Sequence, residues 1–189
     1  MLEVRDGWTG RLINSETLAE LAEPGDEYSL TAEVTATVPP RWSGDWNGDW
    51  LAGRKATDAS EPLRVLRLFC GYDDDPDADR DLWAEVYANP NAMGRARLLT
   101  GRTSGSPSIK QNCSVETLPQ RSGMHIEGRI CELTDRSPAG MVRVTEVLLT
   151  RTEGPAIRIV FREKAPYPVL TSSDARKAAI ADVLDGLGL

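Results

Sequence analysis

Residues Tyr28–Val38 read YSLTAEVTATV, and they predict the class of fold more clearly than any other stretch. The even-numbered positions from Tyr28 to Val38 are apolar or small, and the odd-numbered positions are Ser, Thr or Glu. A period of two is that of a β-strand with one buried face. We therefore expect one continuous strand here, which ends at Pro39-Pro40 because proline cannot donate to a strand ladder.

Further strands are predicted downstream, separated by turns. They are Leu63–Tyr72, Leu82–Ala88, Met124–Leu133, Met141–Arg151 and Ala156–Glu163, with a weaker edge strand at Lys110–Leu118. Asp73–Asp81 is predicted to be an acidic turn, and Ala92–Leu99 a short helix. In the strand from Met141, we expect Val142, Val144 and Leu148 to face the core. Strands with frequent turns favour an antiparallel barrel or sandwich over alternating strands and helices.

Two further helices are predicted at the ends of the chain. Asn14 or Ser15 can cap a short helix that Pro24-Gly25 stops, and Ser172 or Ser173 can cap a closing helix, Asp174–Leu187. We expect an N-terminal arm and short helix over residues 1–26, a β-barrel domain over residues 27–165, and a C-terminal segment over residues 166–189 whose helix packs on the barrel.

The composition is that of an ordinary globular domain: 189 residues, 40% hydrophobic and 27% charged. No apolar run approaches the ~18 residues that span a membrane, and the N-terminus has no secretory signal pattern. Cys70, Cys113 and Cys131 are odd in number and far apart. We therefore expect unpaired buried thiols and a cytoplasmic location, rather than a disulfide or a zinc site.

The net charge of −7 is unevenly distributed along the chain. Residues 1–89 carry 8 basic and 19 acidic side chains, whereas residues 90–165 carry 12 basic and 7 acidic ones. A basic second half indicates a surface that faces a polyanion. Arginine supplies 18 of the 22 basic residues, which suits phosphate binding and base stacking, although a GC-rich genome would give the same bias.

The connection after the first predicted strand, Arg41–Trp50, reads RWSGDWNGDW and holds three of the five tryptophans. Burying Trp42, Trp46 and Trp50 together on a loop rich in Gly and Asp is difficult, so we expect exposed rings that stack on a partner. The alternative is that they fold back and cover the mouth of the barrel, since tryptophan is highly buried on average.

The aspartates between these tryptophans leave other ligands open. Asp45 and Asp49 would repel phosphate and would suit sugar hydroxyls. Asp45, Asn47 and Asp49 also have the first spacings of a calcium loop, but its glycine and closing glutamate are replaced by Trp50 and Ala56. Whether these groups or the Asp73–Asp81 run bind a cation stays open.

Catalytic signatures are missing from the sequence. His125 is the only histidine and has no nucleophile context, and there is no phosphate-binding glycine loop. We therefore expect a non-enzymatic binding protein without a cofactor or metal.

Between residues 28 and 150 the predicted order is strand, long loop, strand, acidic turn, strand, short helix and two hairpin strands. This order resembles the OB-fold of single-stranded-DNA-binding domains of the replication protein A type, a barrel of five strands. The resemblance implies single-stranded nucleic acid as the partner, bound across the tryptophan loop, the loop that joins the last two strands, and the face of the second and third strands. The implied stacking residues are Trp42, Trp46, Trp50, Trp83 and Tyr87, and the implied phosphate contacts are Arg41, Arg54, Lys55, Arg129, Arg136 and Arg143.

Two other functions stay open at this point. One is a structural module of a larger assembly, such as a phage particle, that uses the tryptophan loop as a protein interface or associates with itself. The other is a barrel that binds a glycan or another small ligand.

Overall fold

The computed structural model describes residues 3–5, 12–14, 19–48, 61–72, 75–95, 110–134 and 141–189, most of them in antiparallel strands. Six short strands come first: β1 (Glu3–Arg5), β2 (Leu12–Asn14), β3 (Glu20–Ala22), β4 (Glu27–Ser29), β5 (Thr35–Thr37) and β6 (Ser43–Trp46). Six longer strands follow: β7 (Arg64–Tyr72), β8 (Asp75–Tyr87), β9 (Lys110–Arg121), β10 (Met124–Thr134), β11 (Met141–Thr150) and β12 (Ala156–Lys164). Helix α1 includes residues 90–95, and helix α2 is Ser173–Gly186.

Ten of the strands form one sheet in the order β1-β2-β3-β6-β7-β8-β12-β11-β10-β9, and β4 and β5 form a separate hairpin. Among the described residues no pairing joins the two outer strands, β1 and β9, so the expected barrel is not confirmed. The mainly antiparallel β class is confirmed. β9 was predicted as an edge strand, and it lies at the edge.

The predicted continuous strand Tyr28–Val38 is wrong. The chain turns back on itself: Tyr28 pairs with Ala36, and the Thr31 N–H donates to the Val34 carbonyl at 3.1 Å. The alternation is real, because Tyr28, Leu30 and Val34 are all buried. Alternation alone cannot distinguish one long strand from a tight hairpin, and this turn contains neither glycine nor proline.

The predicted N-terminal helix is also wrong where its residues are described. Glu20–Ala22 is the strand β3, and its residues pair with Gly44, Asp45 and Trp46 of β6. A helix this short gains few internal hydrogen bonds, whereas pairing with β6 buries Ala22.

The acidic stretch is partly strand. From Asp75 onward it belongs to β8, although Asp73 and Asp74 lie outside the described residues. Asp81 is paired with Arg162 across the ladder, and Arg162 Nη2 donates to Asp81 Oδ2 at 2.8 Å. The opposite charge on the neighbouring strand explains how an acidic residue is accommodated in the sheet.

Helix α2 covers one face of the sheet, which we call the covered face. Ile180, Leu184 and Leu187 are fully buried in the main core, together with residues of the β4–β5 hairpin. The helix approaches β10 closely, because a Cβ atom built on Gly128 would lie 2.2 Å from Ile180 Cδ1. The predicted closing helix and its packing against the sheet are confirmed, including the capping residue Ser172, whose hydroxyl accepts from Ala175 N at 3.1 Å.

The expected unpaired thiols are only partly present. Cys113 and Cys131 are direct cross-strand partners on β9 and β10 and form a disulfide, whereas Cys70 is free and buried. The sequence-based expectation is therefore wrong for the pair and confirmed for Cys70. The two cysteines are 18 residues apart in the sequence, and it is the register of the β9–β10 hairpin that brings their sulfurs together.

Candidate functional site

Four charged residues lie side by side on the covered face, one on each of four neighbouring strands. Arg80 pairs with Glu163, Glu163 with Arg143, and Arg143 with Glu132. Cross-strand partners project to the same side of a sheet, so the residues form a row of alternating charge across β8, β12, β11 and β10. We call this set the charge row.

The ion pairs of the charge row are long. The N–O distances are 4.0 Å from Arg80 to Glu163, 3.8 Å from Arg143 to Glu163 and 3.5 Å from Arg143 to Glu132. Direct charge-assisted hydrogen bonds are ~2.7–2.9 Å. Arg143 is only 3% exposed, so its charge is buried and only loosely neutralised.

The segment 165–170, between β12 and α2, crosses the charge row, and we call it the strap. The guanidinium carbon of Arg143 lies 4.0 Å from the centre of the Tyr167 ring. Arg143 Nη2 donates to the Pro168 carbonyl. The strap thus supplies an aromatic ring and a carbonyl to the buried guanidinium, as expected where a cation must be removed from water.

Two buried polar atoms here have no hydrogen-bond partner among the described residues. They are Arg143 Nε and the Tyr167 hydroxyl. Burial chiefly raises the pKa of Tyr167, and Glu132 and Glu163 add to the rise while Arg143 opposes it. The phenol is therefore protonated at neutral pH. Buried polar atoms without partners are rare, and these two make the contact between Arg143 and the strap the least satisfied polar part of the described structure.

A cleft of about 600 Å³ lies between this part of the sheet and α2. Its apolar lining consists of Pro39, Trp42, Leu82, Phe161, Pro168, Leu170, Ala175, Ala178, Ala179 and Val183, and its charged lining consists of Arg80, Arg143, Glu163 and Asp182. We call it the α2 cleft. Its volume falls in the range of small-molecule sites, ~300–1,000 Å³. Its apolar walls with a few polar groups are also typical of such sites.

The walls of the α2 cleft are set by identifiable local features. The turn before Trp42 is closed by its N–H, which donates to the Pro39 carbonyl at 3.1 Å. This places the Trp42 ring 6.0 Å from the Phe161 ring, tilted by 50°. On the other side α2 presents Ala175, Ala178 and Ala179, whose small side chains leave space that larger ones would fill.

The tryptophan loop does not present three exposed rings. Trp46 is only 8% exposed and packs against Tyr28, with the ring centres 5.1 Å apart. The expected exposure of Trp46 is therefore wrong, because residues 43–46 form β6 and one side of that strand faces the core. Trp42 is half-buried in the cleft wall. Trp50, Arg54, Lys55 and Arg136 lie outside the described residues.

Other predicted contact residues lie on the face of the sheet opposite α2, which we call the open face. Trp83 is half-buried with Arg162 over its ring, at 4.8 Å from the ring centre. Tyr87 is buried, and its hydroxyl donates to Glu85 at 2.8 Å. Arg129 is half-buried and lies near Cys113 Sγ. The expected solvent-facing role of Tyr87 is not compatible with its burial.

The remaining predicted contacts are dispersed. Arg41 is exposed in the turn before Trp42, where its backbone φ is 70°. Arg143 lies across the sheet, in the charge row, with its side chain buried rather than free to follow a phosphate chain. The structure thus brings Trp42 and Arg143 to one cleft and leaves the other described candidates outside it.

Asp45 gives no support for a cation site. Burial chiefly raises the pKa of its carboxyl group, and Arg67 opposes the rise. Asn47 Nδ2 donates to Asp45 Oδ1 at 3.2 Å, and Asp49 is outside the described residues. Within the described ranges no three His, Cys, Asp or Glu side chains are grouped to hold a metal ion, and no described helix is long and apolar enough to cross a membrane.

The sequence-based prediction of the site missed Arg80, Phe161, Glu163 and Tyr167. In β11, Arg143 lies on the same side of the strand as the buried residues Val147 and Leu149, but both sides of this strand carry apolar residues, so the sequence alone did not show it. A charged residue on the core side of a strand has to have partners. No protein-family model matches this chain, and no match is found among curated proteins or solved structures.

Proposed function

We propose that this protein binds a small, largely apolar molecule in the α2 cleft and does not transform it. The observation that carries the proposal is the α2 cleft itself, with Trp42 and Phe161 forming an aromatic wall opposite the alanines of α2. A ligand that removes this apolar surface from water stabilises the complex by ~25 cal/mol per Å² of buried surface.

Binding is favoured over catalysis by the chemistry of the lining. The described lining residues include no serine, threonine, cysteine, histidine or lysine. Of the four charged groups, Arg80, Arg143 and Glu163 are engaged with one another in the charge row, and Asp182 is a single exposed carboxylate of α2 with no histidine, serine or cysteine beside it in the lining. A site that holds and orients a ligand needs nothing further, whereas general acid–base or nucleophilic catalysis needs a free reactive group.

The test is a titration with a neutral apolar fluorophore, such as N-phenylnaphthylamine, against the wild type and two matched variants. Ala179→Phe places a ring in the cleft, and Val115→Phe places the same ring on the open face, where Val115 is 58% exposed. We expect Ala179→Phe to weaken probe binding by at least about tenfold, equivalent to ~1.4 kcal/mol, and Val115→Phe to bind as the wild type does. Equal affinity for all three proteins would overturn the proposal.

Single-stranded nucleic-acid binding, an OB-type barrel and a cytoplasmic location stay predictions. The nucleic-acid hypothesis now depends on the half-buried Trp83 of the open face and on residues outside the described ranges. It requires that an oligothymidylate quenches tryptophan fluorescence and that the affinity falls steeply with salt. The disulfide argues against a reducing compartment.

The assembly-module hypothesis also stays a prediction. Phe69 and Val115 are 53% and 58% exposed, and large exposed apolar side chains are typical of protein contacts when they are contiguous. Sedimentation analysis of the purified chain tests self-association. The hypothesis predicts an oligomer of defined size, and a monomer at all concentrations would count against self-association.

A further inference from the structure

We propose that the ligand of the α2 cleft carries one carboxylate, which accepts a hydrogen bond from Arg143 Nε while the apolar body lies along Trp42 and Phe161. This inference rests on the proposed function and adds the chemical class of the ligand. Three features support it: the unpaired donor of Arg143, the charges around it, and its place in the lining of an apolar cleft.

The donors of Arg143 are not all satisfied. A guanidinium group has five N–H donors and no acceptor. Nη2 donates to the Pro168 carbonyl and lies 3.5 Å from Glu132, and Nη1 lies 3.8 Å from Glu163. Nε has no partner among the described residues, although Arg143 is only 3% exposed. A buried charged donor without an acceptor is a position where a bound acceptor gains most.

A charged acceptor suits Arg143 better than a neutral one. Arg143 is only 3% exposed, and its two carboxylate neighbours are at long distances. A carboxylate oxygen bound to Nε would form a charge-assisted hydrogen bond, about twice as strong as one to a neutral oxygen. Arg80, whose side chain is 41% exposed, lies on the far side of Glu163 and adds a second positive charge to the cleft lining.

The carboxylates around the cleft limit the charge of the ligand. Glu163 and Asp182 also line the cleft, and Glu132 lies beside Arg143. The charge row is neutral by itself, and Asp182 makes the charged groups around the cleft negative by one. A phosphate dianion would be repelled by these carboxylates more strongly than a monoanion whose single charge lies directly against Arg143. A monoanion with an apolar body is therefore the class that fits.

The experiment compares ligands that differ only in the head group. Decanoate is paired with decanol, and naphthylacetate with its amide, and each competes with the neutral fluorophore for wild-type protein at neutral pH. We expect the carboxylate of each pair to bind at least about tenfold more tightly than its neutral partner. Two different apolar bodies are used because the lining specifies the head group more closely than the body.

The outcomes separate the two proposals. If the neutral partners bind as tightly as the carboxylates, or if no member of either pair displaces a bound fluorophore, the carboxylate assignment is wrong and the proposed function stands. If the fluorophore itself does not bind, the proposed function fails and this inference fails with it. A preference for both carboxylates supports the assignment.

A variant identifies the arginine responsible. Arg143→Gln is expected to remove the preference for the carboxylate, so that the ratio of the decanoate affinity to the decanol affinity falls to about one. Because Arg143 is buried in the charge row, circular dichroism and the unfolding midpoint are measured to establish that the variant is folded. Arg80→Gln at the more exposed arginine provides a second test that does not disturb a buried side chain. We expect Arg80→Gln to reduce the preference for the carboxylate by a smaller factor; an unchanged preference in a folded Arg143→Gln protein would overturn the assignment.

Discussion

The guanidinium carbon of Arg143 lies 4.0 Å from the centre of the Tyr167 ring, and this contact joins the strap to the sheet. Arg143 comes from the middle of the charge row, and Tyr167 lies between the end of β12 and the start of α2. The two residues therefore couple the position of the strap to the polar part of the α2 cleft. The contact is also directly testable, because the ring and the hydroxyl of Tyr167 can be removed separately.

Replacing the ring should cost more than replacing the hydroxyl. Tyr167→Leu removes the cation–π contact with Arg143, so we expect the free energy of unfolding to fall by about 1 kcal/mol. Tyr167→Phe keeps the ring and removes a buried hydroxyl that has no partner, so stability should stay unchanged or rise by up to about 1 kcal/mol. Urea denaturation measures both changes. An equal loss in the two variants would show that the ring contact is not the stabilising one.

The closest approach of α2 to the sheet should not tolerate a methyl group. A Cβ atom at Gly128 would lie 2.2 Å from Ile180 Cδ1, and Ile180 is fully buried. We expect Gly128→Ala to lower the free energy of unfolding by about 1–3 kcal/mol, because the core has to shift. Gly94→Ala in α1 is the control, since a Cβ there meets nothing within 4 Å and alanine favours a helix. An unfolding midpoint for Gly128→Ala equal to that of the wild type would contradict the close packing of α2 on β10.

The start of α2 should depend on pH through Glu116. The pKa of Glu116 lies below its ordinary value of 4.5 because Ser173 Oγ and Arg176 Nε donate to its carboxylate, each at 2.6 Å. A lowered folded-state pKa means that the stabilisation is complete well above the ordinary value and is lost as the pH falls through the lowered one. We therefore expect Glu116→Gln to unfold at a lower temperature than the wild type at neutral pH, with the two converging in acid.

The control for this measurement is Glu153→Gln, in the exposed turn before β12. Thermal unfolding followed by circular dichroism across the acidic range gives the comparison. A difference between Glu116→Gln and the wild type that stays constant as the pH falls would show that the carboxylate charge is not responsible.

The disulfide predicts a thiol count and a stability change. Unfolded without reductant, the chain should expose one thiol, that of Cys70, and with reductant it should expose all three. Reduction or the double substitution Cys113→Ser with Cys131→Ser should lower the free energy of unfolding by roughly 3 kcal/mol, from the loop entropy of an 18-residue separation. Three reactive thiols before reduction would contradict the pairing.

Four of the longer strands and the closing helix were predicted well because clear turn signals mark their ends. β7, β10, β11 and β12 begin and end within one or two residues of the predicted bounds, and so does α2. The stretch Tyr28–Val38 was more misleading, since its alternation persists through a turn with no glycine or proline. Periodicity reports which side chains are buried, and it does not report which backbone groups pair.

The site was harder to predict for a related reason. In β11 the apolar residues Val142 and Val144 were expected to face the core, but both are half-buried, whereas Arg143 and Thr145 are buried on the side with Val147. When both sides of a strand carry apolar residues, the periodicity does not show which side faces the core. The charged residue that defines the site therefore resembled a surface position. Its partners Glu132, Glu163 and Arg80 become neighbours only through the strand order, which sequence spacing does not contain.

The disulfide and the tryptophan loop show the same limit. Cys113 and Cys131 meet because β9 and β10 pair in one particular register. Trp46 is buried because β6 pairs between β3 and β7. In each case the local sequence is compatible with several environments, and long-range pairing selects one of them.

The most direct test of the account is to locate a bound apolar ligand by nuclear Overhauser effects. With the neutral fluorophore bound, we expect contacts from its ring protons to the methyl groups of Ala178, Ala179 and Val183, which line the α2 cleft. Val115, exposed on the open face, and Val169, 75% exposed on the strap, serve as controls and should show none. Contacts confined to Val115 or Val169, with none to the α2 methyl groups, would contradict a ligand site between the sheet and the helix.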